Sequence, residues 1–403
     1  MSRIPDPGPS QQSRFTVKVA TSLKAVPSGD WDACAQAAAE HLPGEDPSNP
    51  FVEHAFLSIL EESGCVGERS GWQPIHILVE DASGTLAAAA PCYLKSHSMG
   101  EYVFDHAWAD AYRRAGGSYY PKLQICVPFT PVTGPRLLVG HSDRESAWRH
   151  LVSGIEALRH QMGASSAHVT FLTGKESQAL VEAGYLPRTD QQFHWINEGY
   201  DSFDDFLGAL ASRKRKAIRR ERREALADGI TVDWLTGSDI TEKHWDAFFT
   251  FYQDTGSRKW GRPYLNRRFF SLIGDRMSER VLLVLAKRAG RYVAGAINFI
   301  GRSHLFGRNW GCIEDHPFLH FELCYYQAID FAIARGLTRV EAGAQGEHKL
   351  ARGYRPVLTH SSHSIGDLSF RRAVAAHLER ERQAVLAITQ ELDATGPFKR
   401  TET

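Results

Sequence analysis

An internal match constrains this chain more than any other feature. Residues 78–94 (LVEDASGTLAAAAPCYL) correspond to 285–300 (LAKRAGRYVAGAINFI), each reading as a strand, a glycine turn and a strand of small residues. Residues 154–171 (GIEALRHQMGASSAHVTF) correspond to 328–343 (AIDFAIARGLTRVEAG), each a helix that stops near glycine and runs into a buried strand. The same order occurring twice predicts a duplicated α/β unit with its boundary at 198–202. A chain of 403 residues exceeds one usual core, so two domains are expected, 15–198 and 199–403. Residues 1–14 are polar and proline-rich and read as a disordered leader.

Composition excludes several classes. With 42% hydrophobic and 23% charged residues the chain reads as soluble and globular. Its formal net charge of +0 gives no global field toward nucleic acid or membrane. Six scattered cysteines without a C-x-x-C spacing read as buried thiols of a reducing compartment. The amino terminus lacks the apolar segment of a signal peptide, and no stretch approaches a membrane span. The expected location is cytoplasmic.

Helices are expected at 51–63, with Asn49 as cap, and at 203–227, 318–335 and 370–392. Residues 95–122 hold many aromatic and charged side chains with little periodicity, either a binding insertion or an irregular packed loop. Residues 307–311 (GRNWG) are expected to follow a strand and end in a turn, with Arg308, Asn309 and Trp310 either lining a cleft or forming a structural turn.

The chemistry concentrates at 340–357 (VEAGAQGEHKLARGYRPV), a glycine-rich polar loop after a short buried strand. Open α/β sheets commonly bind ligands at such strand ends. Acyl transfer builds negative charge on a carbonyl oxygen, and Lys349 is the natural cation to stabilise it. The attacking amine must lose a proton, for which Glu341, Glu347 and His348 are candidate bases. His348 alone has an ordinary pKa near neutrality. Gln345, Arg352 and Tyr354 complete the substrate-binding set in this loop.

Residues 213–223 (RKRKAIRRERR) place eight basic residues in eleven on one helix, either a solvated face or a site for phosphate. The second reading is favoured here, with Arg215 and Arg219 as phosphate ligands beside Arg352. His360 and His363 sit three apart on a strand and face opposite sides, so no metal site is expected.

Several segments resemble the bacterial FemAB-like proteins, predicted N-acyltransferases of peptidoglycan biosynthesis or recognition. They include NPFVEHAFLSILEESG, YLKSHSMGEYVFDHAWADAYRRAGGSYYPKL, VPFTPVTGPRLL, RKRKAIRRERR, FYQDTGSRKWGRPYL and HFELCYYQAIDFAIARGLTRVEAGAQGEHKLARGYRPV. The resemblance implies an α/β fold of two tandem GNAT-like domains, each a mixed central sheet flanked by helices. It also implies distant kinship with the Fem aminoacyltransferases, where a basic helix opens the second domain and a late Phe-Lys-x-x-Phe-like loop carries an important lysine. HKLARGY is similar, placing Lys349 at that lysine and Tyr354 near the later aromatic, with His348 where the first Phe would stand. The segment GCIEDHPF lacks the phosphate loop of acetyl-CoA enzymes, which keeps aminoacyl-tRNA open beside acyl-CoA as co-substrate. No tightly bound cofactor is implied. The expected activity is transfer of an acyl or aminoacyl group to an amine acceptor, a cell-wall precursor among the candidates. The alternative is a non-catalytic module that recognises such a precursor or RNA.

Overall fold

The computed structural model describes residues 15–42, 44–259, 263–343 and 346–399. The leader expected at 1–14 lies outside them, as does Gln345.

Fifteen strands occur among the described residues. The first half supplies β1 (Phe15–Ala20), β2 (Trp72–Pro74), β3 (His76–Asp81), β4 (Leu86–Ala90), β5 (Cys92–Lys95), β6 (Lys122–Ile125), β7 (Leu138–Val139), β8 (Ser166–Leu172) and β9 (Leu186–Ile196). The second half supplies β10 (Thr231–Leu235), β11 (Val281–Arg288), β12 (Arg291–Ile300), β13 (His304–Cys312), β14 (Arg339–Glu341) and β15 (Arg355–Ile365). A four-stranded sheet runs β1-β3-β4-β7, and a continuous sheet runs β10-β11-β12-β13-β14-β9-β15-β8-β6-β5-β2. Pro91, which cannot donate to a ladder, separates β4 from β5 where the chain passes from one sheet to the other.

The long sheet is mirrored about its centre. Each half contains one parallel pair, β6 with β8 and β13 with β14, and every other pairing is antiparallel. Parallel neighbours need a crossover, supplied by helix Arg144–Gln161 in the first half and by the helical run from Leu319 to Ala334 in the second. The halves then exchange strands. β9 of the first half pairs with β14 of the second, and β15 of the second inserts between β9 and β8 of the first. An aromatic seam also joins the halves: Phe51 lies 4.9 Å from Phe299 and 5.6 Å from Phe306, and Phe56 lies 5.9 Å from Phe269.

Three expectations need correction. The helix expected at 203–227 is two, Phe203–Ala209 and Ser212–Ala225, because the carboxyl-terminal segment claims the backbone between them. Leu210 is extended and bridged to Phe398, and Ala211 N–H donates to Pro397 O at 2.9 Å. The helix expected at 51–63 starts at His54, and Asn49 Oδ1 accepts from Phe51 N–H in a local turn instead of capping it. GRNWG is no terminal turn: it lies inside β13, which is bulged against β12 near Asn298.

Gly311 in that strand packs directly under helix Glu242–Lys259. A Cβ there would overlap the backbone carbonyl of Phe251. Gly311→Ala is expected to destabilise the fold by about 3 kcal/mol through overpacking, read as a lower denaturant midpoint at unchanged slope.

Candidate functional site

The parallel pairing of β13 with β14 ends at Phe306 and Glu341. Beyond that point β13 stays with β12, while residues 342–343 turn to β9: Ala342 N–H donates to Phe193 O and Phe193 N–H to Gly343 O. A wedge therefore opens between the two strands. The first half has a wedge at the mirrored place, past Ile125 and Val169, but it is filled. The buried Arg136 guanidinium donates to the carbonyls of Thr170, Val132, Gly134 and Pro135 there. Arg136 thus fills the first of the two corresponding splits, while the second lies beside Lys349.

A short 3₁₀ helix, Glu347–Arg352, lies beside it. Gly346 (φ 104°) leads in and Gly353 (φ 88°) leads out, both conformations that suit glycine. This turn buries Lys349 to 3% exposure. Its Nζ donates to Ala342 O at 2.6 Å and Gly343 O at 3.0 Å, and lies 5.7 Å from the Phe193 ring. No carboxylate pairs with it among the described residues. Burial lowers its pKa from 10.5 to about 8. An ammonium has three donors, and two are committed to carbonyls.

The crossover helix beside this turn contains a π-helical segment, Glu322–Tyr326, a feature frequent at functional sites. It brings Tyr325 OH within 3.0 Å of His348 Nε2 and packs Tyr325 on Tyr354, with ring centroids 5.5 Å apart. His348 is exposed and Tyr354 fully buried. Arg352 covers the Phe321 ring at 3.4 Å, donates to His348 O at 2.7 Å and pairs with Glu221 at 2.9 Å. Tyr326 also donates to Glu221. Arg222 reaches the fully buried Glu322 at 3.0 Å and Asp330 at 2.6 Å. These pairs clasp the basic helix Ser212–Ala225 to the crossover.

At the narrow end of the wedge Glu341 is buried, 3.6 Å from His304 Nδ1 and 3.9 Å from His194 Nε2, and its Oε2 lacks a hydrogen bond. Burial lowers the His194 pKa to about 4, so it is neutral at pH 7. Burial, with Glu341 adding, raises Glu45 from the first half to about 7.

The structure thus brings Lys349, His348, Arg352 and Tyr354 together and sets Glu341 at the wedge. Glu347 lies in the 3₁₀ turn, but its side chain is outside the described residues. Arg308 and Asn309 line an aromatic slot with Phe51 and Phe129, and Arg308 Nη2 donates to Phe129 O at 2.7 Å. The phosphate role expected of Arg352 meets a guanidinium already paired, and Arg219 is paired with Asp204 at the surface, 2.8 Å away. Arg215 is half-buried on the basic helix. Tyr325 and Glu322 escaped the sequence reading. The available signal was two carboxylates and two adjacent tyrosines inside a largely apolar helix.

The FemAB-like family, described as peptidoglycan biosynthesis/recognition, matches residues 22–400. The chain belongs to that family. No curated protein matches the chain. Among solved structures it is similar to FemX (13% identity, 87% of this chain and 98% of that one, TM-score 0.55). It is also similar to the carboxyl-terminal domain of a putative lysylphosphatidylglycerol synthetase from Agrobacterium fabrum (10% identity, 89% and 98%, TM-score 0.51). A third is a conserved protein of unknown function from Bacteroides thetaiotaomicron (9%, 87% and 100%, TM-score 0.50). These likenesses agree with the tandem GNAT-like architecture of the mirrored sheet. Among the described residues no helix is long and apolar enough to cross a membrane, and no group of three or more metal-ligating side chains occurs.

Proposed function

We propose that this protein transfers an acyl or aminoacyl group from a thioester or ester donor, held at the β13/β14 wedge, to a primary amine. The observation that carries this reading is Lys349: a buried ammonium beside the β13/β14 split, with one donor beyond the two that hold the strand end. The amine nitrogen attacks the donor carbonyl carbon, and the carbonyl oxygen becomes an oxyanion beside Lys349. Collapse breaks the C–S or C–O bond, and the proton that the attacking nitrogen sheds on forming the amide goes to the departing sulfur or oxygen, releasing CoA thiol or a tRNA 3′-hydroxyl. The attacking ammonium must first give up a proton. His348, its ring held by Tyr325, takes it, with Glu347 of the same turn as the second candidate base. The family's description supports a cell-wall precursor amine as acceptor. The exposed basic face of helix Ser212–Ala225 supports a phosphate-bearing donor or acceptor.

The test is to incubate the purified protein with acyl-CoA or charged-tRNA pools and amine-bearing precursors, then read acylated products by mass spectrometry. Product from one pool is expected. Loss of that product on ribonuclease treatment assigns tRNA as donor, and retention assigns CoA. Tight binding of precursor without product from either pool would overturn the transferase reading.

A further inference from the structure

A cavity lies apart from the wedge, lined by residues of both halves. It has a volume of about 430 Å³, within the range of small-molecule sites. The first half lines it with Asp32 and Gln36 of helix Ser28–Glu40 and with Ser48, Asn49 and Glu53. The second half adds Arg280 and Arg302.

Most of these polar groups are already satisfied. Arg280 donates to Glu53 at 2.9 Å and to Ser48 at 2.5 Å, which neutralises one carboxylate. Asn49 donates to Thr133 O and accepts from Phe51 N–H. Two charges of opposite sign remain. Asp32 Oδ1 accepts only the backbone N–H of His54, at 2.7 Å, and no Arg or Lys pairs with this half-buried carboxylate among the described residues. Glu53 stands near enough for its own pKa to be raised in part by Asp32. Arg302, an exposed lining residue from the second half, has no ion-pair partner among the described residues. A partly desolvated carboxylate beside another one favours a cation, and an exposed guanidinium with no ion pair is free to meet a carboxylate in a charge-assisted fork.

We propose that this cavity is a binding site for a small zwitterion of the amino-acid class, its ammonium on Asp32 and its carboxylate on Arg302. The site spans both halves, so its occupant ties them together. It also lies next to the turn that feeds β13. Asp46 accepts the backbone N–H groups of Arg302, Ser303 and His304 at 3.0, 2.8 and 2.7 Å, which fixes that turn to the cavity's loop.

The experiment is ligand-observed NMR and calorimetry with three matched probes: L-alanine, ethylamine, which lacks its carboxylate, and propionate, which lacks its ammonium. L-alanine is expected to bind at least tenfold tighter than either analogue. Asp32→Asn and Arg302→Gln are each expected to weaken alanine about tenfold with unchanged melting temperatures. Lys349→Ala, which empties the wedge of its cation, should leave alanine binding intact. Equal binding of the three probes, no binding of alanine, or wild-type affinity in both variants would overturn the assignment. So would loss of alanine binding in Lys349→Ala, which would place the ligand in the wedge. Acyl transfer that persists when alanine fails to bind leaves the wedge reading standing and removes this one.

Discussion

Lys349→Ala is expected to lower turnover about a hundredfold to a thousandfold, the range for losing one preorganised oxyanion donor. The alanine also frees the carbonyls of Ala342 and Gly343, so Lys349→Gln is the informative companion. Glutamine can donate to the same oxygens without charge. A shared loss of kcat in folded protein assigns the effect to the cation, and near-wild-type turnover in Lys349→Gln would reject it. The pH profile gives an independent reading. Burial favours the neutral amine and brings the pKa down to about 8. The ammonium is therefore present below about pH 8 and lost above it. Activity should fall as pH rises through that value, and Lys349→Arg, which stays charged, should flatten that limb.

Lys122→Met is expected to be the most destabilising of the simple substitutions, by about 3–5 kcal/mol, as when one partner of a buried ionic cluster is removed. Lys122 is fully buried and donates to Glu101 at 2.6 Å, Asp105 at 2.5 Å and Ser98 at 2.8 Å. Without it two buried carboxylates face each other, with one cation left near Glu101, Lys95 at 3.5 Å. Chemical denaturation measures the loss, and adding Asp105→Asn should recover part of it. The sign with pH follows from Asp105. Burial alone would raise its pKa, but Lys122, together with His168 and Ser98, outweighs burial and holds it well below the usual carboxylate range. Its contribution is present above the ordinary pKa of 3.8 and lost as pH falls below it. In Lys122→Met that acid-side loss should shrink.

Local chemistry was legible and long-range chemistry was not. The hairpin turning at Asp81 and Gly84 could be read from alternation and turn residues, because Asp81 Oδ1 binds the N–H groups of Ser83 and Thr85 within the same few residues. The Lys349 loop stood out because its glycines and charges are contiguous in sequence. The break at Leu210 was invisible, since its cause is Phe398, far along the chain. Arg136 reads as an ordinary loop arginine, and only the fold shows it sealing a wedge. Residues 95–122 could be read as an insertion or as packing. Their buried charges are paired through Lys122, a partner that periodicity cannot assign.

The strand exchange has a consequence during synthesis. While the ribosome is still making residues 355–365, β8 and β9 stand apart, and the slot between them waits for a strand not yet translated. Unpaired backbone edges of that kind invite pairing with other chains. The nascent first half thus carries its own aggregation hazard until residues 355–365 have emerged, and separating it from them would make that hazard permanent.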